Sequence, residues 1–162
     1  MADRLGTEAT LNIGVISDTH GLMRPEALTA LAGSDLIIHA GDVGSPAILE
    51  ALGTIAPVVA VRGNNDTGIW ADKLAETEVI KAGTCNLYVL HNRNELNVDP
   101  VAEGFRIVVS GHSHQPSQEE RAGVLYLNPG SAGPRRFKLP VAVARLRLDS
   151  AGIRVEMVDL SA

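Results

Sequence analysis

Cysteine is almost missing. Cys85 stands alone among 162 residues, so no internal disulfide can form and nothing points to secretion. Cys85 itself reads as a small apolar strand residue. Aromatic residues make up only 3% of the chain, which leaves little for stacking nucleobases. There is no excess of cations either: 14 Lys and Arg face 19 Asp and Glu, a formal net charge of −5. That balance argues against tracking a nucleic-acid backbone, and no stable nucleic-acid partner is expected. A small phosphate substrate stays open, because bound divalent cations would invert the local field. No apolar run is long enough to cross a bilayer, so no membrane partner is expected. Residues 1–10 are polar, lack the apolar centre of a signal peptide and read as a disordered lead. The expectation is a cytoplasmic protein with one domain over residues 11–162.

What the chain does have is a repeated pattern of strand ends that carry metal-ligand residue types. The densest is Gly111-His112-Ser113-His114, directly after the apolar run Phe105 to Ser110. Gly111 reads as a sharp turn. In extended chain, residues two apart point the same way, so both rings are expected to face one spot. Four further strands end similarly. Leu11 to Ser17 leads into Asp18-Thr19-His20, and Asp35 to Ala40 leads into Gly41-Asp42. Pro57 to Val61 leads into Arg62-Gly63-Asn64-Asn65-Asp66, and Asn86 to Leu90 leads into His91. Each alone has a plain alternative. Asp18 and Asp42 would serve as caps for the helices expected over Pro25–Leu31 and Pro46–Leu52, and Asn-Asn-Asp would make a turn. His39 lies inside its strand and reads as a supporting core histidine.

Taken together, the strand ends make a stronger case. Ligands collect beyond the carboxyl ends of strands in sheets flanked by helices. That rule gathers seven side chains: Asp18, His20, Asp42, Asn64, His91, His112 and His114. Seven donors exceed one tetrahedral ion and suit two ions sharing a carboxylate. Imidazole, carboxylate and amide oxygen without thiolate favour Mn²⁺, Fe or Zn²⁺ over a cysteine-type zinc site. Two such ions ~3.5–4 Å apart would activate water and orient a phosphoryl group.

Asp-x-His, Gly-Asp, Gly-Asn-x-Asp, a lone His and Gly-His-x-His, in that order, resemble the calcineurin-like metallophosphoesterase superfamily. The short chain and Asn128-Pro129-Gly130-Ser131 resemble its small single-domain phosphodiesterase branch in bacteria and archaea. The resemblance implies an α/β (α+β) fold: a four-layer αββα sandwich of two mixed β-sheets flanked by helices. It implies two divalent metal ions, Mn²⁺ first, with Fe, Zn²⁺ or Ni²⁺ as alternatives. Asp18, His20 and His114 would hold one ion, Asn64, His91 and His112 the other, with Asp42 bridging. A hydroxide between the ions would attack a small phosphodiester substrate. Asp42, Asn64, Asn65 and Asp66 would form the catalytic set, Asp66 from behind the ligands. His39 would support the bridge.

Two positions depart from the pattern. Asn65 stands where many phosphomonoesterases of the superfamily have a histidine able to protonate the leaving oxygen. An amide cannot supply that proton near pH 7, so a diester with a good leaving group is favoured and Asn65 becomes a substrate contact. Asn92 stands where glycine often follows the lone histidine. Arg135 and Arg136 follow the Asn-Pro-Gly-Ser loop, and Arg135 is the first choice for a substrate-phosphate contact. Arg62 and Arg93 sit beside ligand positions. Alternatives are a phosphomonoesterase or nucleotidase, and a non-catalytic protein-interaction scaffold. An exposed C-terminal antiparallel meander could pair with another copy as a homo-oligomer.

Overall fold

In the computed structural model, residues 10–161 are described, so the expected lead lies almost entirely outside them. Within the described residues, ten strands form two sheets of five. The first sheet is built from β1 (Leu11–Ile16), β2 (Leu36–His39), β3 (Val58–Ala60), β9 (Ala142–Asp149) and β10 (Gly152–Asp159). Its order is β10-β9-β1-β2-β3, parallel across β1, β2 and β3 and antiparallel across β1, β9 and β10. The second sheet holds β4 (Thr77–Ala82), β5 (Cys85–Leu90), β6 (Ile107–Val109), β7 (Ser117–Arg121) and β8 (Val124–Asn128). Its order is β4-β5-β6-β8-β7, with β5, β6 and β8 parallel. Both sheets are therefore mixed, as the resemblance implies.

The sheets pack face to face through alternate residues. Ile13, Val15, Ile38, Leu87, Val89, Ile107, Val109, Ala144 and Leu146 lie buried in one cluster between them. The strand period of two sends the other set outward. On the outer face of the first sheet, Ile16, Ile37 and Val143 pack under α1 (Pro25–Leu31) and α2 (Pro46–Gly53) through Leu31, Ile48 and Leu52. Both helices start on a proline at the first turn, whose missing N–H costs nothing there. Ser45 caps α2 by accepting from Ala47 N. The layer outside the second sheet is thin. The short α4 (Pro100–Glu103), capped by Asp99 and ended by left-handed Gly104, and a 3-10 turn at Arg93–Glu95 flank Leu96 and Val98, which pack against Tyr88, Leu90, Phe105 and Val108. α3 (Ile69–Asp72) is a single turn.

One expectation about strands changes, and one strand had not been expected. The strand at Val124–Asn128 is not part of a C-terminal meander; it joins the second sheet beside β6, and only β9 and β10 form the hairpin. β7, Ser-Gln-Glu-Glu-Arg, has no apolar alternation because it is an edge strand with mostly exposed side chains. Among the described residues, no helix is long and apolar enough to cross a membrane.

Candidate metal centre

The parallel strands of both sheets end along one side of the sandwich, and five loops meet there. Asp18 follows β1, Gly41-Asp42 follows β2, Asn64 follows β3, His91 follows β5 and Gly111 to His114 follow β6. Backbone hydrogen bonds stitch these loops together. Asp18 N donates to Gly41 O, His20 N to Asp42 O, and Gly111 N to His91 O. The helices begin well after the loops, with Arg24 and Ser45 at their caps, so Asp18 and Asp42 are not helix caps.

Among the described residues, five of the seven non-glycine residues with positive φ are expected ligands: Asp18, His20, Asp42, His112 and His114. Left-handed backbone costs such residues of order 1–3 kcal/mol each and persists where the surroundings enforce it. The extended-chain expectation for His112 and His114 fails on this point. Their φ values are 72° and 63°, and the two rings part company. His114 Nε2 lies 3.4 Å from His20 Nε2 and 3.3 Å from Asp18 Oδ1. His112 Nδ1 lies 3.3 Å from His91 Nε2 and 3.2 Å from Asn64 Oδ1. Asp42 Oδ2 sits between the two groups, 3.8 Å from His20 Nε2 and 3.3 Å from His91 Nε2. Gly111 turns out to matter for space rather than turning: a Cβ there would collide with Ser17 Oγ and come 2.6 Å from Asp18 Oδ2. Gly63 is equally constrained, since its Cβ would strike Asp42 N and Oδ1.

The donor set fits divalent cations. Ligands ~2.0–2.1 Å from one ion stand roughly 3.0–3.4 Å apart, close to the spacings within each group. Asp18 Oδ1 is buried with no hydrogen-bond partner. An unpaired buried acceptor costs ~1–3 kcal/mol, more when charged, and a cation removes that cost. The other Asp18 oxygen is fixed by Ser17 Oγ at 2.7 Å and His112 N at 3.0 Å. His91 Nδ1 donates to Ala40 O at 2.7 Å, which leaves Nε2 with a lone pair aimed at the cluster.

Electrostatics follow from the same packing, in the chain alone. Burial acts to raise the Asp42 carboxyl, but hydrogen bonds with His91 and Asn65 N outweigh it and hold it well below the usual range. Burial acts to lower His91, but Asp42 and Asp18 overcome it and raise the imidazole. Burial depresses His114, and the Arg136 charge adds to that. Fully buried His39 is pushed down to about 3, chiefly by burial and then by the charge of His91. Its Nδ1 accepts from Gly41 N at 3.1 Å, so Nε2–H donates to Thr19 Oγ1 at 3.0 Å. His39 thus steadies the loop before Asp42 rather than touching its carboxylate.

The calcineurin-like phosphoesterase superfamily domain matches residues 11–151. The chain belongs to that superfamily. A probable metallophosphoesterase of Methanothermobacter thermautotrophicus is 37% identical over 161 residues, covering 93% of each chain. A phosphodiesterase of Methanocaldococcus jannaschii is 24% identical over 139 residues, covering 74% of this chain and 83% of its own. The solved Vps29 of Entamoeba histolytica in complex with Zn²⁺ is 25% identical, with a TM-score of 0.69 over 93% of this chain and 99% of that one.

Within this superfamily domain, all seven expected ligands meet at one site. The remaining expected residues divide. Asn65 turns inward: its N donates to Asp42 Oδ1 at 2.8 Å and its side-chain amide to Asp42 Oδ2 at 3.1 Å. Asp66 stays outside the cluster, its carboxylate accepting from Val43, Gly44 and Gly63 N at 2.9–3.1 Å. It ties two ligand loops together and does not face the reacting side. Arg135 is exposed, and its charge acts on Asp159; the arginine whose charge reaches His114 is Arg136. Asn92 is extended at φ −116°, so a side chain replaces glycine there without strain. Sequence reasoning missed Ser17, Thr19, Asn128 and Ser131. Asn128 Nδ2 donates to Gly111 O at 2.9 Å, and Ser131 Oγ donates to Asp18 O at 3.0 Å. Only the Asn-Pro-Gly-Ser string hinted at the last two.

Proposed function

We propose that the chain is a phosphodiesterase that works with two divalent cations, Mn²⁺ first among them. The observation that carries this reading is the pair of ligand groups sharing Asp42, with the partnerless Asp18 Oδ1 between them. Such cations, when bound, supply charge to a phosphoryl group and lower the pKa of a water. The donors are imidazole, carboxylate and amide oxygen, and Cys85 lies away in β5 among core residues, which favours borderline-to-hard ions. The phosphodiesterase named among the relatives supports the same reaction class.

The protein's own part is to hold its ligands in one arrangement. Asn65 clamps both oxygens of Asp42, and Ala40 O fixes the His91 tautomer. Ser17 and His112 N fix Asp18. Because the Asn65 amide is committed to Asp42 and carries no transferable proton, no acid stands at that position. Diesters with good leaving groups are therefore the favoured class over alkyl monoesters. The likeness to Vps29 motivates the rival reading of a protein-interaction scaffold. Hydrolysis of bis(p-nitrophenyl) phosphate with and without Mn²⁺, beside p-nitrophenyl phosphate, separates them. Metal-dependent turnover of the diester over the monoester supports the proposal. Bound metal without turnover of either ester favours the scaffold, and monoester preference favours a phosphomonoesterase.

A further inference from the structure

Beside the ligand cluster lies a second hollow of about 180 Å³. It shares His112 with the metal centre and runs along Asn92, Arg93, Asn94, Ser113, Ser117 and Tyr126. Pockets that enclose a whole small ligand hold roughly 300–1,000 Å³, so this one suits a single arm of a substrate. Its chemistry is specific in three ways. First, its cation is engaged: Arg93 Nη2 donates to Glu119 Oε1 at 3.0 Å, a carboxylate that also accepts from Arg121 Nε at 2.8 Å. Second, its aromatic surface is already covered, because the Arg93 guanidinium lies 4.2 Å from the Tyr126 ring centre. A nucleobase or aryl group cannot stack on that face. Third, its polar groups have protons left to give. Ser113 Oγ already accepts from Asn128 Nδ2 and Gln115 N, which leaves its own hydrogen to give. Asn92 Oδ1 already accepts from Asn94 N, which leaves its amide hydrogens free.

We infer that this hollow is the subsite for an uncharged, hydroxyl-bearing ester arm, of the glycerol or sugar class, on the phosphodiester bound at the metal centre. The inference rests on the phosphodiesterase reading and narrows it. Asn92, which replaces the glycine usual after the lone histidine, is the residue that gives this chain a polar wall there. The guanidinium of Arg93 acts by positioning: it closes the ring of Tyr126 to flat groups.

The test uses p-nitrophenyl diesters that differ only in the second arm, glyceryl against phenyl, with Mn²⁺. The glyceryl ester should lead in kcat/KM by about tenfold, the worth of one or so neutral hydrogen bonds. Asn92→Gly should cut that ratio several-fold. Arg93→Ala should move it toward the phenyl ester by uncovering Tyr126, whereas general damage would lower both rates and leave the ratio alone. A second readout is independent of turnover. In Zn²⁺-loaded protein, glycerophosphoglycerol should shift the side-chain amide NMR signals of Asn92 and Asn94, and diethyl phosphate should not. Equal kcat/KM for both arms, or variants that leave the ratio unchanged, overturn the subsite while the phosphodiesterase reading stands. No p-nitrophenolate from either ester overturns that reading and the subsite with it.

Discussion

Gly63→Ala places one methyl group where the protein has no room. The added carbon would meet Asp42 N and Asp42 Oδ1 and come 2.8 Å from Asp42 Cα. Two of these atoms are backbone, so no rotamer change relieves the overlap. Asp42 already sits at φ 55° and is clamped by Asn65 on both oxygens. The loop must shift, and the shared carboxylate shifts with it. Overpacking of this kind costs ~1–3 kcal/mol. For a domain of this size that lowers Tm by roughly 2–12 °C, at about 2–4 °C per kcal/mol. Displacing a ligand's support weakens metal binding by about 10–100-fold. Gly53→Ala is the control, because nothing lies within 4 Å of a Cβ there and the residue ends α2. It should be neutral or gain ~0.4–1 kcal/mol. Melting in EDTA and Mn²⁺ titration calorimetry read both effects. If Gly63→Ala melts and binds metal like the parent, the close approach of the two loops is not what sets the site.

Other outcomes follow from the same geometry. Asp66→Ala strips the acceptor from the N–H groups of Val43, Gly44 and Gly63, each costing ~1–3 kcal/mol if left unpaired, so Tm in EDTA should fall by more than for Gly63→Ala. Asn65→His should raise kcat/KM for alkyl monoesters relative to aryl diesters; an unchanged ratio would deny that position any part in proton supply. His39 has a folded pKa near 3 against 6.5 in the unfolded chain. The unfolded state therefore binds one more proton between those values, and stability present above pH 6.5 is lost on acidification toward 3. His39→Asn, which keeps an acceptor for Gly41 N, should flatten the metal-free stability curve between pH 6 and 4 by up to ~1.4 kcal/mol per pH unit. Identical slopes in urea melts of parent and variant would contradict this.

The ligand set was legible because each ligand loop follows a short apolar run that reads as a buried strand. The two-sheet fold came from the family resemblance, not from periodicity. What escaped was conformation and support. His112 and His114 have extended-chain spacing in the sequence, yet their backbone is left-handed, and only the crowding around Gly111 and Asp18 enforces that. Asn65 looked like a free amide because no sequence signal shows that its Nδ2 donates to Asp42 Oδ2 at 3.1 Å. Arg135 and Arg136 are chemically identical neighbours, and only the path of the loop separates them. β7 was invisible because its five residues, Ser-Gln-Glu-Glu-Arg, are all polar and show no apolar alternation.

The proposed centre is two cations caged by Asp18, His20, Asp42, Asn64, His91, His112 and His114. Anomalous diffraction at the manganese edge, from crystals grown with Mn²⁺, locates them directly. Two peaks within bonding distance of those seven side chains, with Asp42 touching both, is the predicted result. One peak, none, or peaks elsewhere on the surface would contradict it.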